Sequence, residues 1–233
     1  MKIGVVTPHR QGREVFDGAM RRMVQRQTRP PDEYVVVDYP SNDLSVPDLK
    51  QRVDQGIEVL HAAGCKRVYI MEDDDYYAPT YIATQERLFP DDHGLTGLAW
   101  TYYYHVLLPA FHKQPIVGNQ CGLNTTRITP EFWFSVRDDI VADNPLIDRA
   151  MWLASIKSDH SHARSVSPDI MLAVKHGVGQ CVLSAHRQSN GMWSADSNDM
   201  CWLQLFLQDD PEMMDFYWKL HLAGSNATPQ VLI

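Results

Sequence analysis

Four consecutive acidic residues, Glu72 to Asp75, carry the strongest chemical signal in the sequence. They directly follow KRVYIM, a run typical of a buried strand, and they precede Pro79, which can start a helix. Like charges this close disfavour joint ionisation, and a divalent cation removes that cost. Oxygen ligands suit Mg²⁺ or Mn²⁺. A solvated acidic turn is the alternative, but the buried-strand context favours a cation site at a strand end.

The elements that must position these acids alternate between strand and helix. Three β-rich runs, IGVVT, EYVVVD and KRVYIM, are separated by amphipathic helical patterns at residues 14–27 and 48–63. This βαβαβ order predicts a parallel α/β sheet with right-handed crossovers, whose ligands bind beyond the carboxyl ends of the strands. The strand ends expected to meet in one crevice are residues 7–10, 38–42 and 72–75.

The second half of the chain is less regular. Further β-like pieces are expected within residues 95–126. Helices are predicted for PEFWFSV, PLIDRAMWLASI and residues 199–221, a loop for SDHSHARSVSP, and a strand for QCVLSAH.

Length and composition indicate a soluble globular protein. The 233 residues are 44% hydrophobic and 21% charged, which excludes collagen-like and wholly disordered chains. The four cysteines form no CxxC motif, so a zinc site or a disulfide framework is not expected. No signal peptide or transmembrane segment is predicted. We therefore expect reduced thiols and a cytoplasmic location.

The formal charge of -8 is unevenly distributed along the chain. Residues 1–30 hold seven Lys and Arg against two acids, whereas the rest of the chain is strongly acidic. This asymmetry indicates either an anionic partner near the N-terminal segment or a solvated basic helix face. The acidic remainder argues against strong nonspecific binding of nucleic acid.

Three segments resemble a known family. VYIMEDDDYYAPTYI resembles the metal-binding segment of family 2 glycosyltransferases with the GT-A fold, and IGVVTPHR and MVQRQTRPPDEYVVVD resemble that family's first strand and its helix–strand passage. The resemblance spans residues 3–87 and is patchy beyond residue 90. It implies a Rossmann-like mixed sheet flanked by helices, the nucleotide-diphospho-sugar transferase architecture. One domain, residues 1–233, is expected, with a donor half at 1–90 and an acceptor and catalytic half at 91–233.

The resemblance also implies residues for the nucleotide-sugar donor, for which a UDP-sugar is expected. Thr7 and Arg10 would border the nucleotide, Asp38 would hold the base or ribose, and Arg52 would lie near the diphosphate. The sequence departs from the family at Tyr39, where a second Asp is common, so base recognition there is open.

The same resemblance implies the cation ligands. Asp73 and Asp74 would face the ribose and the metal, with Asp73 also a ligand, and Asp75 would bind Mn²⁺ or Mg²⁺ bridging the two phosphates. His186 falls where many such enzymes have a late histidine as a further metal ligand. A purely structural histidine is the alternative reading of His186.

Two acids compete for the role of the general base that deprotonates the acceptor hydroxyl in an inverting transfer. Asp148 resembles the family's Asp that stands four residues before a Trp at a helix start, and it is favoured. Its alternative is an exposed helix acid that pairs with Arg149 or Lys157. Asp169 also opens a helix-like stretch, and its alternative is a plain N-cap.

The sequence therefore predicts a metal-dependent inverting glycosyltransferase, of the hexosyltransferase type. A nucleotidyltransferase that makes the nucleotide-sugar is the enzymatic alternative, although TPHRQGR has only one of the glycines expected after the first strand. A non-catalytic nucleotide- or sugar-binding module is the other alternative. A carbohydrate acceptor, including a lipid-linked sugar, is favoured over a hydroxymethylated DNA base. A C-terminal stripe that contains Trp193, Trp202 and Trp218 indicates internal packing or a homodimer surface.

Overall fold

A computed structural model of the chain arranges its strands in two mixed sheets with helices packed against them. The structure describes residues 1–10, 12–38, 48–99, 101–114, 120–141, 147–157, 162–165, 169–176, 193–197, 199–208 and 210–226. The strands are β1 (Ile3–His9), β2 (Glu33–Asp38), β3 (Arg67–Ile70), β4 (Tyr76–Tyr77), β5 (Leu95–Leu98), β6 (Thr101–His105), β7 (Ala110–Gln114), β8 (Thr126–Ile128), β9 (His162–Ser165), β10 (Met171–Lys175) and β11 (Ser194–Ala195). The α-helices are α1 (Asp17–Gln25), α2 (Leu49–Ala62), α3 (Tyr81–Leu88), α4 (Pro130–Val136), α5 (Ile147–Lys157), α6 (Cys201–Leu207) and α7 (Pro211–Asn226). Short 3₁₀ helices span Glu14–Phe16, Leu123–Thr125 and Arg137–Asp139.

The first sheet confirms the predicted βαβαβ arrangement. Among the described strands its order is β2-β1-β3-β8-β5-β9, and β1 pairs in parallel with both β2 and β3. The carboxyl ends of these three strands therefore reach the same edge, where His9 pairs in register with Asp38. Every residue of β1 and β3 is buried, as expected for continuous apolar runs in a sheet that is covered on both faces.

Side-chain alternation along β1 assigns the first two helices to opposite faces of this sheet. Val5 packs in the same apolar cluster as the buried face of α1. Val6 packs in the other cluster, with the buried face of α2. Close packing of α2 on β1 requires Gly56, because a Cβ there would lie 2.2 Å from a Val6 methyl group. The helix α2 is followed by Gly64 at a φ of +86°, a conformation that favours glycine.

The second sheet brings β10 beside the acidic segment, in the order β11-β7-β6-β10-β4 among the described strands. The helix-like reading of SPDIMLAVKHG was wrong: MLAVK is a strand, since β6 and β4 flank it and bury its apolar side chains. The predicted loop SDHSHARSVSP contains β9, an edge strand that pairs in parallel with β5. Its residues are mostly polar, so they show no strand pattern in the sequence. The predicted strand QCVLSAH lies outside the described residues.

The C-terminal segment forms two helices, α6 and α7, where one was predicted. Asp210 stands before α7, where its carboxylate accepts a hydrogen bond from the Met213 amide at 3.1 Å, and Pro211 follows as a favourable first residue. Asp210 also pairs with Arg26, which joins the start of α7 to α1. None of the helices that the structure describes has the length and apolar character needed to cross a bilayer.

Candidate functional site

Residues 72–75, here named the acid loop, connect β3 to β4 and are held at both ends. The Met71 amide donates to the Val6 carbonyl at 3.0 Å, which continues the pairing of β3 with β1. The Glu72 amide contacts the Tyr77 hydroxyl at 2.8 Å, and β4 then pairs antiparallel with β10. The acid loop therefore lies where the carboxyl end of β3 meets the second sheet.

Gln27 fastens α1 to the segment that follows the acid loop. Its side-chain amide donates to the Ala78 carbonyl at 2.8 Å, and its side-chain oxygen accepts from the Ile82 amide at 3.0 Å. The residue is 4% exposed. Gln27, in the segment QTRPP, thus fixes the end of α1 to the residues that follow the acid loop.

Asp73 contacts the last residue of β1 and an arginine that follows this strand. One carboxylate oxygen lies 2.8 Å from His9 Nδ1, and the other accepts from an Arg13 guanidinium nitrogen at 2.9 Å. The hydrogen bond to Asp73 raises the pKa of His9, and the nearby charge of Asp38 adds to it. Both oxygens of Asp73 are therefore engaged by protein groups.

Asp74 lies between the two sheets. The same Arg13 nitrogen is 3.1 Å from Asp74 Oδ2, and His176 Nε2 lies 2.9 Å from that oxygen. His176 follows the last residue of β10 and is 1% exposed. Burial acts to raise the pKa of Asp74, but Arg13 and His176 together hold it below its ordinary value. Asp74 is thus an ionised carboxylate beside an imidazole.

Asp75 has a different environment, because both of its oxygens accept hydrogen bonds from the surrounding frame. Asn124 donates through its side-chain amide, and the Val174 backbone amide donates at 2.8 Å. Burial and the charge of Asp74 raise the pKa of Asp75 to about 7. The same two causes, together with the charge of Asp75, raise the pKa of Glu72 well above its ordinary value.

Three buried or half-buried arginines, Arg10, Arg13 and Arg52, form what we name the arginine cluster. Arg52 is 5% exposed and pairs with Asp48 at 2.6 Å. Burial lowers the pKa of Arg52, Asp48 opposes this, and the positive charges of Arg10 and Arg13 lower it further. The guanidinium groups are thus close enough to repel one another. A cluster of this kind suits an anion with several oxygens.

The other expected donor residues lie at the same edge. Thr7 is buried in β1, two residues before His9. Asp38 is the exposed last residue of β2 and acts electrostatically on His9. The structure therefore brings Thr7, Arg10, Asp38 and Arg52 to the edge that carries the acid loop. Tyr39 lies outside the described residues.

Asp148 occupies the first turn of α5. Trp152, one turn later on the same helix face, is buried against Gly97 of β5, which orients that face. Burial raises the pKa of Asp148. The charges of Asp148 and of the acid loop residues Asp75 and Glu72 all act on Tyr103, a residue of β6, although burial is the main cause of the raised pKa of Tyr103.

Asp169 lies apart from this constellation. It precedes β10, whereas His176 follows that strand, so the length of the strand separates the two. Asp169 is exposed and lines a surface pocket of about 240 Å³ with Tyr102 and Trp202. His186 lies outside the described residues.

Sequence reasoning missed four residues that contact the acid loop. His9 ends β1, within the strand end 7–10 that the sequence placed at the crevice, and Arg13 follows three residues beyond that strand end. His176 directly follows the apolar run MLAVK. A strand at MLAVK would have placed His176 at a strand end, but a helix was predicted there. Asn124 had no sequence signal, because only the fold brings it to Asp75.

Among the described residues of the acid loop, Asp74 has the surroundings that best match a divalent cation. Asp74 and His176 offer a carboxylate and an imidazole that suit Mn²⁺. Asp73 and Asp75 fit less well, because protein groups engage each of their oxygens. No group of three or more His, Cys, Asp or Glu side chains within the described ranges could hold a metal. Two protein ligands are nevertheless compatible with a cation that substrate phosphates also coordinate.

Comparison with solved structures defines the class of fold. The chain resembles S. aureus TarS 1–349 in complex with UDP-GlcNAc, with a TM-score of 0.53 and 13% identity over 96% of this chain and 72% of that one. The same fragment in complex with UDP gives 0.52 and 12% over 95% and 71%. The architecture is that of the GT-A-like glycosyltransferases.

A glycosyltransferase involved in the glycosylation of the major capsid of PBCV-1 gives a TM-score of only 0.47 at 9% identity, over 71% of this chain and 82% of that one. A likeness at that level supports no conclusion. No family model and no curated protein matches the sequence.

Proposed function

We propose that this protein transfers a sugar from a nucleotide-sugar to an acceptor hydroxyl with inversion at the sugar carbon. One observation carries the proposal: the arginine cluster and the acid loop lie together at the carboxyl edge of a GT-A-like sheet. A nucleoside diphosphate with a bound cation presents the complementary charges to such a site.

The arginine cluster is the proposed diphosphate site. Arg10 and Arg52 are almost fully buried, and repulsion from Arg10 and Arg13 lowers the pKa of Arg52 although Asp48 opposes this. A diphosphate would relieve that repulsion through charge-assisted hydrogen bonds. UDP-sugars are the proposed donors, supported by the UDP-GlcNAc and UDP complexes of the similar structures. Thr7 and Asp38 would border the nucleoside.

Asp74 and His176 are the proposed protein ligands of a Mn²⁺ or Mg²⁺ ion, with Asp73 held beside them by His9. A cation bound there would neutralise the charge that develops on the departing nucleoside diphosphate. Asp75 is proposed as a structural carboxylate, since Asn124 and Val174 already satisfy it. His186, outside the described residues, stays a predicted ligand.

Asp148 is the proposed general base, in preference to Asp169. Burial raises its pKa toward neutrality, which makes the ionised form a stronger base for the acceptor hydroxyl. Asp169 is exposed and precedes β10, whereas His176 and the acid loop lie at the other end of that strand. Because the base belongs to the second half of the chain, we propose that residues 91–233 supply the acceptor site, with a carbohydrate as the acceptor.

A donor panel tests the activity. The protein is incubated with Mn²⁺ and UDP-, GDP-, dTDP- and CMP-sugars in the presence of oligosaccharides, and the nucleotide products are separated. We expect release of UDP. A parallel incubation contains a nucleoside triphosphate and a sugar 1-phosphate, and release of pyrophosphate there, without UDP release in the donor panel, would indicate a nucleotidyltransferase. A nucleotide-sugar that binds without turnover would indicate a binding module.

A further inference from the structure

Arg13 holds the position from which a cation would reach the acid loop. A single guanidinium nitrogen lies 2.9 Å from Asp73 Oδ1 and 3.1 Å from Asp74 Oδ2. That oxygen of Asp74 is also the one that faces His176. A metal ion bound between Asp74 Oδ2 and His176 Nε2 would therefore use the oxygen to which Arg13 now binds. Two cations so close to one another repel strongly in a site that is largely shielded from water.

The Arg13 side chain is partly open to solvent and follows a glycine. It is 19% exposed, and its Nε atom is buried without a hydrogen-bond partner among the described residues. Gly12, directly before it, has a φ of +88° and open space around its Cα. Arg10 and Arg52 mark where an anion would bind, so a diphosphate there would attract the guanidinium away from the carboxylates.

We propose that Arg13 is the counter-ion of the acid loop in the free protein and that its guanidinium moves from the carboxylates to the diphosphate when the nucleotide binds. We call this movement the exchange. The cation site becomes fully available only after this exchange, so Mn²⁺ and nucleotide bind cooperatively. The coupling is reciprocal, because each ligand favours the arrangement that the other requires. The inference rests on the proposed function for the identity of the nucleotide.

Binding of Mn²⁺ alone tests the exchange without any donor. Free Mn²⁺ is measured by electron paramagnetic resonance during titration of wild-type protein and of Arg13→Gln, with and without UDP. Removal of the positive charge is expected to tighten Mn²⁺ binding in the absence of UDP by about tenfold and to reduce the enhancement that UDP causes, within the range typical of coupled sites.

Two further variants serve as controls. Arg13→Lys keeps the charge, so its Mn²⁺ affinity without UDP should stay near that of the wild type. Arg22→Ala removes an exposed arginine that pairs with Glu212, 2.6 Å away and outside the site, and should change nothing. Thermal unfolding confirms that each protein is folded.

The outcomes separate the two proposals. Equal Mn²⁺ affinity in wild type and Arg13→Gln, including no measurable binding in either, would overturn the role of Arg13 while leaving UDP binding to be judged independently. Tighter Mn²⁺ binding by Arg13→Gln, with no UDP binding by any folded protein, would support the counter-ion and contradict the proposed donor.

Discussion

Asp73, Asp74 and Asp75 are neighbours in sequence, but they face three different environments. Asp73 contacts His9 and Arg13, Asp74 contacts Arg13 and His176, and Asp75 is enclosed by Asn124 and a strand amide. The sequence indicates a charged strand end but cannot assign these roles. The partners arrive from distant segments, so which acid faces a ligand depends on packing.

Substitution of Asp74 and Asp75 should separate ligand binding from stability. Asp74→Asn is expected to weaken Mn²⁺ binding at least tenfold in the presence of UDP, with little change in thermal unfolding. Asp75→Ala is expected to lower the free energy of unfolding by about 2 kcal/mol, because it leaves buried donors unsatisfied. Paramagnetic resonance and denaturant titration measure the two effects. Loss of Mn²⁺ binding in a stable Asp75→Ala protein would return the metal to Asp75.

Asp148→Asn should separate chemistry from donor binding. The amide cannot accept the acceptor proton, so kcat should fall by about 10²–10⁴-fold, the usual contribution of a general base. The Kd for UDP should stay within about twofold, since Asp148 lies in the other half of the chain. Asp138→Asn, at an exposed acid in the same half, is the matched control. Full activity in Asp148→Asn would move the base to Asp169.

The pH dependence of kcat/KM provides a second test of the base. Burial raises the pKa of Asp148, and only its ionised form can accept a proton. Activity should therefore decline as the pH falls through a value above the pKa of about 3.9 of an exposed aspartate. Rates measured across pH for wild type and for the residual activity of Asp148→Asn decide this. An unchanged acid limb in the variant would contradict the assignment.

At the scale of elements, continuous apolar strands were the easiest part of the fold to predict. β1 and β3 are buried throughout and β2 is mostly half-buried, and helical periodicity marks α1 and α2 between the three strands. β9 and β10 were missed, since an edge strand with polar residues and a short apolar run lack a decisive period. Because β10 was predicted as a helix, His176, which follows it, was not placed beside Asp74.

Helix α5 positions Asp148 by packing on a glycine. A Cβ at Gly97 would lie 2.9 Å from the Trp152 ring and 2.8 Å from Cys121. Gly97→Ala should therefore lower the free energy of unfolding by about 1–3 kcal/mol through overpacking, and it should reduce kcat by shifting α5.

Gly18→Ala is the matched control for this substitution. Gly18 lies in α1 with nothing within 4 Å of an added Cβ, so the change should stabilise the protein by about 0.5 kcal/mol. Denaturant titration and steady-state kinetics measure both variants. A Gly97→Ala protein as stable and active as the wild type would show that α5 does not depend on this contact.

In the whole molecule, acidic side chains of the same chain pair with several arginines of the basic N-terminal segment. Arg21 pairs with Asp17 at 2.9 Å, Arg22 with Glu212 at 2.6 Å, and Arg26 with the buried Asp210. These arginines therefore fit the alternative of a solvated basic helix face rather than an anionic partner. Arg10 and Arg13, in contrast, lie at the candidate site. The cytoplasmic location and the homodimer stay predictions. Trp202, one of the tryptophans considered for a homodimer surface, stacks on Phe111 of the same chain, with the ring centroids 4.4 Å apart.

This compensation predicts weak binding to nucleic acid. A gel-shift titration with duplex DNA at about 50 mM salt should show no complex at micromolar protein, since Arg21, Arg22 and Arg26 are each paired with an acidic side chain of the chain itself. A shift that disappears in the Arg21, Arg22 and Arg26 triple alanine variant would instead favour a DNA acceptor.

Mass spectrometry of the acceptor detects the proposed sugar transfer itself. Wild-type protein, UDP-GlcNAc or another UDP-sugar, Mn²⁺ and an oligosaccharide panel are incubated beside the folded Asp148→Asn variant. We expect an acceptor heavier by one sugar residue with the wild type and at most a trace with the variant. No mass increase on any acceptor, from folded protein that binds UDP, would contradict glycosyl transfer.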